Sequence, residues 1–462
     1  MVDVLKTCMY ILNHEPEEWL NFSAGQNFKF NLERYKSYSE ISGKFLRILI
    51  FIRWFFYRFN PFKSILKKQM EVDIYIYASS INQISVLDQA KNILIERKVK
   101  VMPVSDFLIS KEFSHRFCGW EKVYFNFQTL IISIILTLRY IFPLLNRLKK
   151  IDKRLPLLRL NGFLSIYVYL PYFYLHLKIL NPKIVLVSND HNPENRCLIE
   201  IARHFGIKTA YVQHAGISER FHSLDFDYSF LDGNYSFDIY RKCEDRRSLN
   251  SKPPKERNVL LTGSLKYLPK KHKINRKCEV VGLTVKGSDS LREIASLCYK
   301  IKKIKKIIVR PHPNIKYNKF IQQFKNELPN PIGIHFSDPR SEEVGQFLHS
   351  INLVIDGNSS ILLEAALVGT IPIYYKHSHE RVNDYYGFVE NGIAPKFESQ
   401  KEMVNYIETI NFLKYRPNLD SLRYYNASAH GKLYGLEAEI VAENLISLIK
   451  SGELKSQHGL KI

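Results

Sequence analysis

The sequence lacks most of the short motifs by which enzymes and metal proteins are recognised. Its six cysteines are scattered without a CxxC pair, so neither a zinc ribbon nor a dithiol redox site is indicated. The chain has no GxxxxGKS/T phosphate loop, no HExxH zinc motif and no GxSxG turn between a strand and a helix. No repeat of fixed period is visible, which argues against a solenoid or a propeller.

Long apolar runs are also scarce. The first residues, MVDVLKTCMY, form neither a basic nor an apolar leader region, so we expect no signal peptide. The most apolar segment, 123–145, contains Asn126, Gln128 and Arg139, and we expect a buried or peripheral helix there rather than a membrane span. Scattered thiols in a chain without an export signal suit a reducing compartment. We therefore expect a cytoplasmic protein.

Positive charge is what the sequence has in excess. Its 462 residues include 67 Lys and Arg against 45 Asp and Glu, a formal net charge of +22. This surplus suits a polyanionic partner, which is nucleic acid, an anionic membrane or an anionic substrate. The basic segment 44–68 holds seven Lys and Arg, no acid and many aromatic residues. It is typical of a segment that lies on anionic headgroups, and equally of a buried helix with a basic exposed edge.

From residue 71 onward, short β-type runs alternate with helical segments, which predicts parallel sheets. The fold class is therefore α/β, with two Rossmann-like domains that face each other across a cleft. We expect an irregular, basic and aromatic extension over 1–70, a first domain over 71–250, a second over 251–400 and C-terminal helices over 401–462. The run 258–262 is expected to open the second sheet, after a polar linker at 241–257.

Two motifs follow predicted strands of the second domain. Arg310-Pro311-His312-Pro313 comes directly after the strand 307–309; its Arg offers a bidentate fork for phosphate and its His can protonate a leaving group. Gly357-Asn358-Ser359-Ser360 lies between a strand and a helix, where hydroxyls and backbone N–H groups form an anion site. Glu364, one helical turn further on, is placed to accept hydrogen bonds from a ribose.

Two polar loops end predicted strands of the first domain, one around Asp190 and His191 and one around His214. A carboxylate or an imidazole in either place can deprotonate an acceptor hydroxyl. Asp225 and Asp227 have the spacing of a metal-binding DxD motif, but the strand that follows indicates that they flank it instead. We expect no metal site.

These motifs resemble a known family. RPHP followed by DGNSSILLEAALVGTIPIYY is similar to the donor domain of GT-B glycosyltransferases with HP and Ser-Ser motifs, such as bacterial sialyltransferases, polysialyltransferases and Kdo transferases. CDP-glycerol glycerophosphotransferases of teichoic acid synthesis share the pattern. The run SNDHNPENRCLIEIARHFGIKTAYVQHAG resembles the acceptor domain of surface-polysaccharide glycosyltransferases, although Ala215 separates His214 from Gly216 here.

The resemblance implies a role for each candidate residue on the donor side. His312 would contact the donor phosphate and assist the leaving group, Ser359 and Ser360 would hold the phosphate, and Glu364 the ribose. Arg310 and the helix N-terminus after Asn358 would neutralise the phosphate, so that no metal or other cofactor is expected.

On the acceptor side, either Asp190 or His214 would be the general base. The nucleotide-sugar co-substrate is expected to be a CMP-sugar such as sialic acid or Kdo, with a UDP-sugar as the other possibility. The acceptor would be a hydroxyl of a capsule or lipopolysaccharide glycan, free or lipid-linked, and the basic segment would hold the enzyme on the inner face of the plasma membrane. The alternatives are a CDP-polyol phosphotransferase, a nucleic-acid-binding protein and a scaffold without activity; the basic segment carries no nucleic-acid signature, so no nucleic acid is expected as partner.

Overall fold

The computed structural model divides by its internal contacts into two compact units. The first unit comprises Met1–His214, Glu219–Lys266 and Leu436–Ile462, and the second comprises Ala215–Ser218 and Tyr267–Gly435. The structure describes residues 1–22, 24–25, 43–62, 71–106, 118–244, 258–266, 280–287, 289–301, 305–313, 315–328, 333–377, 383–410, 415–455 and 460–461.

The first unit is built on an eight-stranded sheet in the order β13-β7-β6-β5-β4-β1-β2-β3. All neighbouring strands are parallel except β13, which runs antiparallel to β7. Its strands are β1 (Ile74–Ala78), β2 (Val101–Ser105), β3 (Glu121–Lys122), β4 (Ile184–Val187), β5 (Lys208–Val212), β6 (Tyr228–Leu231), β7 (Asn258–Leu261) and β13 (Leu460–Lys461). Strands such as β1 and β4 are apolar and buried throughout, because helices cover both faces of a parallel sheet.

The helices of the first unit include those of the expected βα pattern and three further helices in the described residues before β1. They are α1 (Val2–His14), α2 (Glu17–Leu20), α3 (Lys44–Arg58), α4 (Ile81–Glu96), α5 (Phe127–Ile151), α6 (Leu155–Leu164), α7 (Ile166–Leu180), α8 (Pro193–His204), α9 (Asn234–Glu244) and α16 (Glu437–Ser451). The described part of 1–70 is thus helical and not irregular as expected. Helix α1 buries Val4, Cys8, Ile11 and Leu12, whose spacing of three and four residues is that of one helix face.

The second unit is built on a five-stranded parallel sheet in the order β10-β9-β8-β11-β12. Its strands are β8 (Val280–Val285), β9 (Lys306–Pro311), β10 (Ile334–Phe336), β11 (Leu353–Asp356) and β12 (Ile371–Tyr374). Its helices are α10 (Leu291–Ile301), α11 (Tyr317–Glu327), α12 (Val344–Ser350), α13 (Ile361–Val368), α14 (Gln400–Thr409) and α15 (Leu419–Tyr425). Apolar residues of the strands form one core with α10, α11 and α14.

Two expectations about the domain boundary differ from the structure. The run 258–262 does not open the second sheet, because β7 pairs in parallel with β6 of the first. The expected C-terminal segment, 401–462, is shared: α14 and α15 belong to the second unit, whereas α16 belongs to the first. Much of the expected linker, 245–257, lies outside the described residues.

Two helical stretches are long and apolar enough to cross a membrane by length and composition alone. One is α5, of which 28% of the most apolar window is buried; the other, Leu155–Leu180, combines α6 and α7 and is 89% buried there. The second is therefore a core helix pair of the first unit. Helix α5, which contains most of the segment 123–145, is bound to the unit along one face and exposes the other.

Candidate functional site

The carboxyl ends of β4 and β5 carry the candidate residues of the first unit. Because these strands are parallel neighbours, the loops that follow them leave the sheet at the same edge. After β4 the chain runs through Ser188–Asn192 and enters α8 at Pro193, whose ring suits the first helical position. After β5 it reaches Gln213 and His214.

Asp190 and His191 form a hydrogen-bonded pair in the first of these loops. Asp190 is buried, His191 is half-buried, and Nδ1 of His191 lies 2.8 Å from Oδ1 of Asp190. Burial alone would raise the pKa of Asp190, but hydrogen bonds from His191 and from the Tyr240 hydroxyl outweigh it and hold the pKa below its ordinary value. An ionised carboxylate only accepts hydrogen bonds, so Nδ1 carries the proton and Nε2 of a neutral His191 is left as an acceptor.

Other side chains fix this pair in place. The Tyr240 hydroxyl donates to Oδ2 of Asp190 at 2.8 Å and lies 3.2 Å from the hydroxyl of Tyr211 on β5. The ring of His222 reaches the backbone carbonyl of Asp190. Asn189 accepts from the backbone N–H of His191 at 3.0 Å, and its amide nitrogen lies 3.5 Å from Nε2 of that ring. Each oxygen of the Asp190 carboxylate thus accepts a hydrogen bond, whereas Nε2 of His191 has only one long contact among these.

His214 lies at the end of the next strand and is half-buried. Burial, together with the nearby His191, lowers the pKa of His214 to about 4 although Asp190 opposes the shift, so the ring is neutral at pH 7. Its Nδ1 atom is buried and has no hydrogen-bond partner within the described part of the chain. Two residues on, Gly216 belongs to the second unit, where a β-carbon would stand 2.7 Å from the ring of Tyr386. A larger residue at this position would therefore require the ring of Tyr386 to move.

Asp225 and Asp227 have structural partners. Asp225 forms an ion pair with Arg203 at 2.9 Å, and Asp227 accepts hydrogen bonds from the backbone and hydroxyl of Thr209 at 2.9 and 3.0 Å. Both residues flank β6, as the sequence predicted. Among the described residues, no group of three or more His, Cys, Asp or Glu is arranged to hold a metal ion.

In the second unit, the RPHP motif spans the end of β9 and the two residues after it, and the GNSS motif follows β11. The two strands lie on either side of β8. His312 is exposed directly after β9, and its backbone N–H donates to the carbonyl of Val285 at 2.8 Å. The next residue after Val285 is Lys286, so the end of β8 places a lysine between the two motifs. Its ammonium donates to the backbone carbonyl of Asn358 and lies 3.5 Å from the carboxylate of Asp356.

The GNSS loop is held by its own asparagine. Oδ1 of Asn358 accepts from the Tyr374 hydroxyl and from the backbone N–H of Tyr385, both at 3.0 Å. Oγ of Ser359 accepts a long hydrogen bond of 3.5 Å from the N–H of Ile361, at the start of α13. The Ser360 hydroxyl donates to Glu364 at 3.2 Å. Both serines therefore lie at the N-terminus of α13, as predicted, while Glu364 is buried beneath them.

Arg310 has partners other than those expected. Its NH1 group donates to Oγ of Ser337 at 2.6 Å and lies 3.4 Å from the Glu342 carboxylate, and its NH2 group donates to the Glu342 carbonyl at 2.8 Å. The guanidinium carbon also lies 5.2 Å from the ring centroid of Phe347. The terminal nitrogens that would grip a phosphate are thus engaged within the unit, and Arg310 braces the strand that carries His312.

Sequence reasoning did not single out Lys286, and it named Asp190 and His214, not His191, as the candidates for the general base. The sequence does show that Lys286 directly follows an apolar strand. Its position between the two motifs, however, depends on β8 lying between β9 and β11, which the sequence does not reveal. The role of His191 depends on its contact with Asp190, which adjacency in the sequence does not establish. Tyr240 had no signal, because it lies 50 residues from Asp190.

No protein-family model matches the sequence, and no curated protein matches it significantly. Solved structures do match. One described as a UDP-N-acetylglucosamine 2-epimerase from Listeria monocytogenes is similar at a TM-score of 0.52 and 11% identity, over 85% of this chain and 100% of that one.

Two further structures match at the same level. One is S. aureus MnaA with UDP, with a TM-score of 0.51 and 13% identity, over 84% of this chain and 100% of that one. The other is a Methanocaldococcus jannaschii UDP-GlcNAc 2-epimerase in complex with UDP-GlcNAc and UDP, with a TM-score of 0.50 and 14% identity, over 82% of this chain and 99% of that one. Identities this low describe architecture and not activity. The chain has the α/β architecture of the GT-B fold, with two Rossmann-like units.

Proposed function

We propose that this protein is a glycosyltransferase that moves a sugar from a nucleotide donor to a hydroxyl of a bacterial surface glycan. The observation that carries the proposal is the edge of the second sheet, where β9, β8 and β11 end in His312, Lys286 and the GNSS loop. Neighbouring strands are about 4.8 Å apart, so the three strand ends span roughly 10 Å, which suits a diphosphate or a sugar phosphate.

In this proposal, the donor phosphate binds between Lys286 and the N-terminus of α13. The lysine supplies an ammonium group, and Ser359 and the first N–H groups of the helix supply hydrogen bonds together with the positive end of the helix dipole. The Ser360 hydroxyl donates to Glu364 and holds the loop. His312 is exposed beside them and donates a proton to the departing phosphate oxygen. Charge that develops on the leaving group is thereby stabilised by fixed protein groups, which is why we propose transfer without a bound metal.

The acceptor hydroxyl is activated in the first unit, where we propose His191 as the general base. Its Nε2 accepts the proton, while Asp190 keeps Nδ1 protonated and stabilises the imidazolium that forms. Asp190 itself is a weak base because its pKa is held low, and it acts by orienting the ring. His214 has a pKa of about 4 and stays neutral, so we propose that it hydrogen-bonds the acceptor and does not take its proton.

A CMP-sugar is the donor we propose first, because of the HP and Ser-Ser motifs, and a UDP-sugar second. Two structural neighbours hold UDP, which is why uridine nucleotides belong in the test. The acceptor we propose is a capsule or lipopolysaccharide glycan at the cytoplasmic face of the membrane. The protein's net charge of +22 favours binding of an acidic glycan.

Thermal shift of the full chain with CMP, CDP, UDP, GDP and ADP, in EDTA, tests this proposal. A nucleotide at 100 times its dissociation constant stabilises the protein by about 2.7 kcal/mol, a shift on the order of 5 °C for a unit of this size. The shift should disappear in Lys286→Met and persist in Lys319→Met, which removes an exposed lysine from α11 of the same unit.

The nucleotide that binds separates the candidate reactions. CMP indicates a sialic acid or Kdo donor, UDP indicates a hexose donor, and CDP would favour polyol phosphate transfer instead. If no nucleotide shifts the melting temperature while random oligonucleotides bind in a salt-sensitive way, the protein binds nucleic acid and the glycosyltransferase proposal is wrong.

A further inference from the structure

Helices α3 and α5 expose apolar side chains where a helix on a protein surface normally exposes polar ones. More than half of the large exposed apolar side chains among the described residues lie on these two helices. On α3 they are Phe45, Leu46, Ile48, Leu49, Ile52, Phe56 and Tyr57, and on α5 they are Phe127, Ile134, Ile135, Leu138 and Phe142. Phe45 is 74% exposed, and Leu138 and Phe142 are each 72% exposed. A group of exposed apolar side chains as large as this one marks an interaction site.

The opposite face of each helix is fixed to the first unit. Helix α5 buries seven residues at a spacing of three or four, from Thr129 to Leu148, against the helices beneath it. The Tyr140 hydroxyl donates to Asn13 of α1 at 3.2 Å, and Arg147 pairs with Glu17 and Glu18 of α2. Because these contacts run along its length of about 37 Å, α5 lies against the unit along one side and does not project from it.

Helix α3 is attached at both ends. At its start, the N–H of Gly43 and Nε of Arg47 donate to the carbonyl of Leu157. At its end, Arg58 forms an ion pair with Asp106 at 2.6 Å, and the ring of Phe55 stacks on Phe125 at 5.5 Å. Phe125 precedes α5 by two residues, so the end of one helix adjoins the beginning of the other.

The charge on these helices decides what can cover them. Neither α3 nor α5 contains an Asp or a Glu, and their exposed residues include Lys44, Arg53, Arg139, Lys149 and Lys150. A symmetric dimer through these faces would bring like charges together, because such an interface places the same patch on both subunits. An anionic bilayer satisfies both properties at once, since it accepts apolar side chains and attracts basic ones.

We propose that the outward faces of α3 and α5 together form a membrane-docking surface for anionic phospholipids. The apolar side chains enter the region between headgroups and acyl chains, and the basic residues contact the headgroups. The sequence pointed first to the segment 44–68, of which 63–68 lie outside the described residues, and it predicted a buried or peripheral helix over 123–145. The structure shows that α5 exposes an apolar face, so both segments contribute.

Sedimentation of the full chain with vesicles tests the surface. The vesicles contain phosphatidylcholine alone or phosphatidylcholine with phosphatidylglycerol, and no nucleotide is present, so the result does not depend on the transfer reaction. Wild-type protein should bind the anionic vesicles and lose most binding at high salt. Phe45→Gln with Phe56→Gln on α3, and Leu138→Gln with Phe142→Gln on α5, should each weaken binding about tenfold or more. Lys149→Gln with Lys150→Gln should weaken it roughly 25-fold.

A matched control replaces exposed apolar residues elsewhere. Ile95→Gln with Tyr299→Gln changes two side chains that are each 50% exposed, and it should bind as wild type does. Hydrogen exchange on the wild-type protein gives a readout that needs no variant: vesicles should slow exchange in peptides from 44–58 and 127–142 and not from α4. Wild-type affinity in both apolar double variants would overturn the proposal. So would a dimer that these variants dissociate while vesicles fail to bind.

Discussion

His377 offers the sharpest test of the structure, because it is buried and neither of its ring nitrogens has a hydrogen-bond partner among the described residues. It follows β12, and its backbone carbonyl accepts from the N–H of Ser290 at 3.0 Å. Burial lowers the pKa of His377 from its ordinary value near 6.5 to about 4. The perturbation is His377→Leu, which keeps the approximate volume and removes both nitrogens.

The expected change in stability depends on pH. Between pH 6.5 and pH 4 the unfolded chain binds a proton at this histidine that the folded chain does not, so the folded state loses stability as the pH falls. At pH 5 the loss from this one group is about 2 kcal/mol, a substantial part of the 5–15 kcal/mol that is typical of a folded domain. In His377→Leu this pH-dependent loss of stability should be absent. At pH 7.5 the variant should be as stable as wild type or more so, because two unpaired buried nitrogens are gone.

Hydrogen exchange measured by mass spectrometry is the suitable assay, since all three tryptophans lie in the first unit and fluorescence would not report on the second. We expect the free energy of opening for peptides of β11 and β12 to decrease from pH 7.5 to pH 5. That decrease should be about 2 kcal/mol smaller in His377→Leu than in wild type. His335→Leu, an exposed histidine on β10, is the control and should follow wild type. Equal pH dependence in wild type and His377→Leu would refute the reasoning.

Three further predictions concern the proposed reaction once a donor is identified. Asp190→Asn should lower kcat by about 10²–10⁴-fold with little change in donor KM, because an amide favours the wrong tautomer of His191; a kcat near wild type would remove the pair from catalysis. His312→Ala should nearly abolish transfer while circular dichroism and melting stay unchanged, since the side chain is exposed; turnover at the wild-type rate would exclude it. EDTA should leave the rate unchanged, and complete loss of activity that magnesium restores would show that a metal ion is required.

The sequence predicted four of the five strands of the second unit, β8, β9, β11 and β12, from short apolar runs that polar or turn-forming residues follow. It missed β10, which has only three residues. It could not predict the order of those strands, and Lys286 acquires its meaning only from that order. The same limit applies to Arg310, whose partner Glu342 is 32 residues away. Helix α1 was missed although its apolar spacing was visible, because the aromatic and basic residues that follow it suggested an irregular segment.

The first unit is discontinuous in sequence, and this shapes how the protein can be made. Its sheet receives β7 before the main segment of the second unit, Tyr267–Gly435, and β13 after it. Helix α16, which also follows that segment, packs against α4. On the ribosome, the second unit therefore emerges in full while the first still waits for its last helix and edge strand. A chaperone or a protease would encounter the first unit with α4 uncovered throughout that interval, and a stop codon near residue 436 would damage the unit that was translated first.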